Sequence, residues 1–292
     1  MQLLDTFPDF ERFWANVEGL PIPAQMDRWE SDYMALWPEL LQKQKDEYRR
    51  AGVSWRRIAR DRIFPEIPRR LTRFRRLHAN LRRQLPGAWR RTRKALKVDF
   101  EVQFVIYVGL GCGAGWATRL GGKPAVLFGI ENAAEMTTGR RGEWPGALSH
   151  EVAHLVHNEW RRQAGLPSGE SRRGPYWQLY EEGFATACER SIETPAHFRL
   201  RTGKADWLPW CVRHRADLAR LFLRDVHARR SVRRFFGSWY TIQGHTECGY
   251  YLGAEVVREL GRTRSLKEIA CLSAAEARRK ANTSLRVMAG FR

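Results

Sequence analysis

The sequence has no CxxC pair, little lysine, and no apolar run long enough to cross a bilayer. Its five cysteines (Cys112, Cys188, Cys211, Cys248 and Cys271) are odd in number and widely spaced. That excludes a disulfide framework as the organising principle and predicts a reducing, cytoplasmic setting. The longest uncharged stretch, Val102 to Thr118, spans 17 residues and is interrupted by Gly109, Gly111, Gly113 and Gly115. A spanning helix needs about 20 apolar residues, so no membrane partner is expected. The opening MQLLDTFPDFERFW lacks a basic region leading into an apolar core, and no secretory signal is expected from it. Internal repeats and low-complexity linkers are also missing.

What is present is a globular composition. The 292 residues are 43% hydrophobic and 28% charged, which supports a sizeable core in one large or two modest domains and excludes a largely disordered chain. The net charge of +19 is concentrated: residues 41–97 hold 20 Lys or Arg against four acids. Such a block is the electrostatic footprint that nucleic acid selects. However, the pairs Arg49-Arg50, Arg69-Arg70, Arg75-Arg76 and Arg82-Arg83 recur at helical intervals, as on a solvated face. Neither a zinc-finger spacing nor an RNP-type strand nor a basic zipper accompanies them. The solvated face is preferred, with nucleic-acid binding by the 41–97 helices as an alternative function.

Periodicity divides the chain near residue 98, into a basic helical region 1–97 and a mixed region 98–292. Trp29, Tyr33, Leu36, Trp37, Leu40 and Leu41 form one helical stripe within 27–48. A second helix is expected from Pro65–Pro68 to about Leu85, closed by Pro86-Gly87, and a third from Ala88 to Lys97. Phe100, Val102, Phe104, Ile106 and Val108 then alternate, which predicts a strand, and Pro124 to Ile130 predicts another. From Gly142 to about Lys280 the pattern is helical again. The loop Gly109–Gly115 is not a nucleotide cradle, because Lys123 is followed by Pro124 and no helix opens off the glycines. The fold class expected is α+β, mostly helical.

His150-Glu151-Val152-Ala153-His154 carries the chemistry. Residues four apart share a helix face, so both imidazoles can reach one metal while Glu151 stands beside them as general base. With 8 His and 22 Glu in the chain, roughly 0.016 such matches are expected by chance for a motif of this kind. His157 lies about 10.5 Å further along the axis than His150, too far to share the metal, and is read as an orienting or structural group. Ligands of this type select zinc, one ion per chain, without excluding other divalent metals.

Downstream, Glu181-Glu182-Gly183-Phe184-Ala185 follows this helix, and the combination resembles the gluzincin metallopeptidases. There the glutamate of a similar Asn-Glu-Gly-Phe-Ala segment completes the zinc site. The resemblance implies Glu182 as third ligand, with Glu181 in the Asn position and an insertion, 160–175, placed as a lid over the cleft. Gly249-Tyr250-Tyr251-Leu252-Gly253 is similar to the Gly-Tyr-x-x-Gly segment of a bacterial group of predicted zinc-dependent proteases, whose motif order matches over about the last two-thirds of the chain. This resemblance implies a thermolysin-like core with a small sheet ahead of the HExxH helix. It implies Tyr250 as the donor to the oxyanion, with Tyr251 and His245 as alternatives, and 124–130 as the edge strand that aligns a peptide or protein substrate. Some gluzincins orient a zinc histidine with an Asp four residues after the ligand Glu. Thr186 stands there, so the orienting group must come from elsewhere. The expected activity is zinc-dependent peptide hydrolysis. A zinc-binding regulatory module without protease activity is a further alternative, against which the intact Glu151 weighs.

Overall fold

The computed structural model describes residues 1–136, 144–167, 174–193, 206–237 and 240–291. The chain is mostly helical with one small mixed sheet, the expected α+β class. Its contacts separate two units, residues 1–90 with 99–144 and residues 91–98 with 145–292. The expected boundary near residue 98 therefore changes, because the sheet belongs with the N-terminal helices. The reason is β1 (Gln2–Asp5), a four-residue strand too short to show a period of two, which pairs in parallel with β2 (Gln103–Tyr107). No helix among the described residues is long and apolar enough to cross a membrane.

In the first unit, α1 (Phe7–Val17), α2 (Ile22–Arg28), α3 (Pro38–Ala51), α4 (Trp55–Ile58) and most of α5 (Ile67–Ala95) precede β2, β3 (Trp116–Leu120), β4 (Lys123–Gly129) and α6 (Ile130–Met136). The single stripe expected over 27–48 is broken by tight and wide turns from Trp29 to Leu36. Pro38 bars an α conformation at Trp37, which takes φ −132° and ψ 58°. Pro86, by contrast, does not end its helix: α5 runs through it. An interior proline costs about 3 kcal/mol. Leu81, Leu85 and Trp89 continue the stripe begun by Phe74 and Leu77, all buried, and each buried side chain of this size returns about 1.5–3 kcal/mol. Burial wins.

The sheet order is β1-β2-β4-β3, with β4 parallel to β2 and antiparallel to β3. The segment 124–130 is therefore an internal strand, which corrects its expected edge position; the edges are β1 and β3. Pro124 fits because it sits near the start of β4, opposite Arg119. The glycine loop turns inward on itself. Glu131 accepts the N–H groups of Gly109 and Gly111 at 2.8 and 2.9 Å, and Gln44 Oε1 accepts that of Leu110 at 2.9 Å. A Cβ at Gly109 would lie 2.2 Å from Gln44 Oε1. An internal carboxylate thus occupies the amides a phosphate would need. Burial pushes the Glu131 carboxyl up to about 7, against the pull of the Gly109 and Gly111 amides.

The second unit is helical: α7 (Trp144–Gln163), α8 (Pro175–Ile192), α9 (Trp207–Arg213), α10 (Arg215–His227), α11 (Cys248–Leu260), α12 (Leu266–Ala270) and α13 (Ala274–Met288). Since α7 extends to Gln163, the first residues of the expected 160–175 lid are helical, and 168–173 lie outside the described residues. Arg161, buried on α7, donates to the carbonyls of Ala270 and Leu272 at 2.8 and 2.7 Å and covers the Trp177 ring. Capping boxes at Ser265 and Ser273 start α12 and α13.

Helices α8 and α11 approach backbone to backbone. A Cβ at Gly183 would lie 2.2 Å from the backbone carbon of Gly253, and one at Gly253 would lie 2.1 Å from the Leu179 carbonyl oxygen. On a free helix, Gly→Ala gains about 1 kcal/mol. Here backbone meets backbone and the sign reverses: Gly183→Ala or Gly253→Ala lowers unfolding stability by about 1–3 kcal/mol, read from the denaturant midpoint. An unchanged or raised midpoint contradicts the crossing.

A second expectation concerns Glu131. The folded chain binds its proton more tightly than the unfolded chain, so the stability contributed by this group falls as pH rises from about 4.5 to about 7. At about 1.4 kcal/mol per pKa unit, the loss approaches about 3 kcal/mol. Denaturation at pH 5 and pH 8 shows that slope in the native chain and a flattened one in Glu131→Gln, whatever the variant's absolute stability.

Candidate metal centre

On α7 the four-residue spacing sets His150 and His154 on one face, as the sequence requires. Their Nε2 atoms lie 3.1 Å apart. On α8, Glu182 precedes Gly183, so the α8–α11 crossing fixes its position along the helix. Its Oε2 lies 3.2 Å from His150 Nε2 and 3.5 Å from His154 Nε2. Ligands held 2.0–2.1 Å from a tetrahedral centre lie about 3.3–3.4 Å from one another. The three edges of this triangle therefore match a tetrahedral face, and these residues fit one metal ion. Among the described residues, this is the one group of three or more His, Cys, Asp or Glu side chains with such convergence.

The electrostatics agree with the geometry. Burial would lower the His154 imidazole, but the charges of Glu182, Glu151 and Glu181 outweigh it and raise the group to about 9. Burial would raise Glu182, but His154 and His150 outweigh it and hold the carboxyl well below the usual range. Without metal the site is an ion pair, so a metal displaces the His154 proton. His150 is nearly enclosed, at 3% side-chain exposure, while His154 and Glu182 are 14% and 23% exposed. The triangle is closed behind His150 and more open on the other side.

Glu189 is the residue sequence reasoning missed. Its Oε2 lies 3.3 Å from His150 Nδ1, and the side chain is fully buried. It stands seven residues after Glu182, two turns along the same face of α8, and a helical side chain leans toward the N-terminus, back toward His150. Thr186, one turn after Glu182, is buried and has no carboxylate to offer. The available signal was the spacing of Glu182 and Glu189 itself, which helical periodicity places together. Ser149, next to His150, donates to Glu193 Oε1 at 2.8 Å and ties the start of α7 to the end of α8.

The remaining candidates separate. Tyr250, on the first turn of α11, sets its ring 5.7 Å from that of His150 and 5.9 Å from Phe236. Gly249 allows this, since a Cβ there would lie 2.6 Å from the Phe236 ring. Glu151 is half-buried on α7 and close enough for its charge to act on His154. Tyr251 is buried, its hydroxyl pushed up to about 12 by burial and by Glu255. His245 stacks on Trp210 at 4.1 Å, and its Nε2 lies 3.3 Å from Asp206. His157 is enclosed by Trp177, Tyr180 and Phe184, with Nε2 3.2 Å from the Tyr180 hydroxyl, a packing role.

Glu189→Ala leaves the three ligand residues in place but removes the group that orients His150. Removing such a partner costs about 10–100-fold in metal affinity, so titration with a divalent metal against a competing chelator reads a loss of that size, with Thr186→Val unchanged. Equal affinities for Glu189→Ala and the native chain rule out the orienting role. Compared with protein-family models, curated proteins and solved structures, the chain matches none of them.

Proposed function

We propose that the chain is a zinc-dependent metallopeptidase with a thermolysin-like catalytic core, and that His150, His154 and Glu182 hold one zinc ion. The observation that carries this reading is the tetrahedral face formed by three ligand atoms 3.1–3.5 Å apart, with a carboxylate one residue after the first histidine. When bound, zinc supplies a Lewis acid for the scissile carbonyl and a water whose pKa falls to about 7.

The protein's own groups do the rest. Glu151, which the ligand set leaves unused, takes the proton of the attacking water and passes it to the leaving amine. Tyr250, beside His150, donates its hydroxyl to the carbonyl oxygen as negative charge grows there, a contribution of about 2.7–4 kcal/mol for such a donor. Glu189 accepts a hydrogen bond from His150 Nδ1–H and so keeps Nε2 free for the metal. The nucleic-acid reading gains less support. Basic groups of α5 meet acids of the same unit, Arg70 with Glu135, Arg75 with Glu11 and His78 with Asp5, as on a solvated, ion-paired face.

Elemental analysis of the purified chain, alongside hydrolysis of a mixed peptide library, tests the proposal. The native chain carries about one zinc; Glu182→Ala loses it; Glu151→Gln keeps it but loses activity by about 10²–10⁴-fold. Tyr250→Phe lowers kcat by about 10²–10³-fold with KM little changed. A native chain that takes up no zinc on reconstitution refutes the metal centre. Zinc binding without hydrolysis of any peptide refutes the peptidase and leaves a binding module.

A further inference from the structure

On the second unit, α10 and α13 pack against each other, and Leu218 and Phe222 of α10 and Ala277, Ala281 and Leu285 of α13 are buried. Between their outer edges and the first turn of α8 lies a groove of about 540 Å³. Arg220, Arg224 and His227 line it from α10, Arg229 from the residues just after, and Arg278 and Arg286 from α13. The spacing is helical on both walls: 220 and 224 are four apart, as are 278, 282 and 286. A contiguous cavity of about 510 Å³ shares Tyr176, Arg278 and Asn282 and adds Arg279. No Asp or Glu is among the residues lining either cavity.

Like charges on one helix face and across a groove repel, and among the described residues much of that charge has no counterpart. Arg220 is matched by Asp217 and by the Ala289 carbonyl. Arg224 reaches Asp225 only at 4.0 Å, and Arg234 already holds that carboxylate. Among the described residues, no ion pair joins Arg229, Arg278 or Arg286 to a carboxylate.

The guanidiniums are also positioned. Arg278 lies 6.0 Å from the centre of the Tyr176 ring and Arg286 lies 5.6 Å from that of Phe291. Stacking uses the face of a guanidinium and leaves its N–H edge for an anion. The charges of Arg278 and Arg286 both act on the Tyr176 hydroxyl, countering the effect of its burial. That hydroxyl donates to Asn282 Oδ1 at 2.9 Å, which leaves the Asn282 amide N–H groups as neutral donors.

We propose that this groove binds a polyphosphate anion, free or carried by a nucleoside. Three guanidiniums with no carboxylate partner among the described residues call for a ligand of comparable charge, more than one carboxylate or a single phosphate monoester brings. Arginine forks match phosphoryl oxygens in pairs. The volume lies in the range of small-ligand sites, and Leu223, Val226 and Phe291 provide an apolar wall against which a base can rest. Tyr176 lies six residues before the ligand Glu182 on α8, about 9 Å along the axis and on another face, so this site is separate from the metal centre and independent of the peptidase reading.

Calorimetric titration of the full chain with sodium triphosphate, ATP and adenosine tests this. Triphosphate binds saturably at one site per chain, and adenosine alone does not bind. Arg278→Ala/Arg286→Ala and, from the opposite wall, Arg224→Ala/Arg229→Ala each weaken triphosphate at least tenfold, with melting curves confirming folded protein. The charge-matched control Arg83→Ala/Arg90→Ala on α5 and the variant Glu182→Ala retain native affinity. ATP tighter than triphosphate assigns the apolar wall to a nucleoside; equal affinities assign recognition to the phosphates alone. No saturable binding, equal weakening by the α5 control, or loss in Glu182→Ala overturns the proposal. The last two results attribute binding to overall charge or to the metal centre instead.

Discussion

Helices α8 and α11 meet backbone to backbone at Gly183 and Gly253, where neither position admits a Cβ without a contact near 2.2 Å. This contact governs the candidate centre because each helix carries candidate-site side chains at a fixed offset from its glycine. Glu182 lies one residue before Gly183, and Tyr250 three before Gly253. Bringing the axes together at those two points sets the Tyr250 ring near His150, while α8 presents Glu182 to α7. The glycines of Glu-Gly-Phe-Ala and Gly-Tyr-x-x-Gly are thus packing residues whose effect is felt at the candidate site, where the residues beside them lie.

The three side chains of the candidate centre are partly buried and mutually charged, an arrangement that costs desolvation unless something repays it. Within the protein, attraction between Glu182 and the two imidazoles repays part, and Glu189 adds a carboxylate on the far side of His150. The site thus holds two carboxylates around one histidine, which favours a cation at its centre. Reach also matters: a two-turn offset with the longer Glu side chain replaces the one-turn offset at which Thr186 stands.

The first unit handles its buried charge differently. Glu131 is enclosed beneath the glycine loop and is satisfied by backbone N–H groups, so a loop rich in amide donors is filled from within. The arginines of α5 are partly matched by acids of the same unit. In the second unit, Arg229, Arg278 and Arg286 beside the α10–α13 groove have no such carboxylate partner among the described residues. Local pairing, rather than the count of +19, separates a solvated face from a candidate anion site.

The candidate metal centre was legible in the sequence because its information is local. His150 and His154 share a face by helical geometry alone, and Glu151 follows from its place between them. Strongly periodic elements were legible too: β2 lies within and β4 overlaps the expected strands, and α5 joins the two expected helices into one. Tertiary structure decided what depends on distant partners. Strand β1 exists because Gln2–Asp5 finds β2 a hundred residues away, and β4 became internal because β3 folded onto it. Pro86 was absorbed because burial on both sides outweighed one lost hydrogen bond. Glu189 acquired its partner only when α8 lay against α7. A residue's spacing within one element is written in the chain, but which side chain faces it from another element is set by packing, and that is where Glu189, Tyr250 and the arginine groove were resolved.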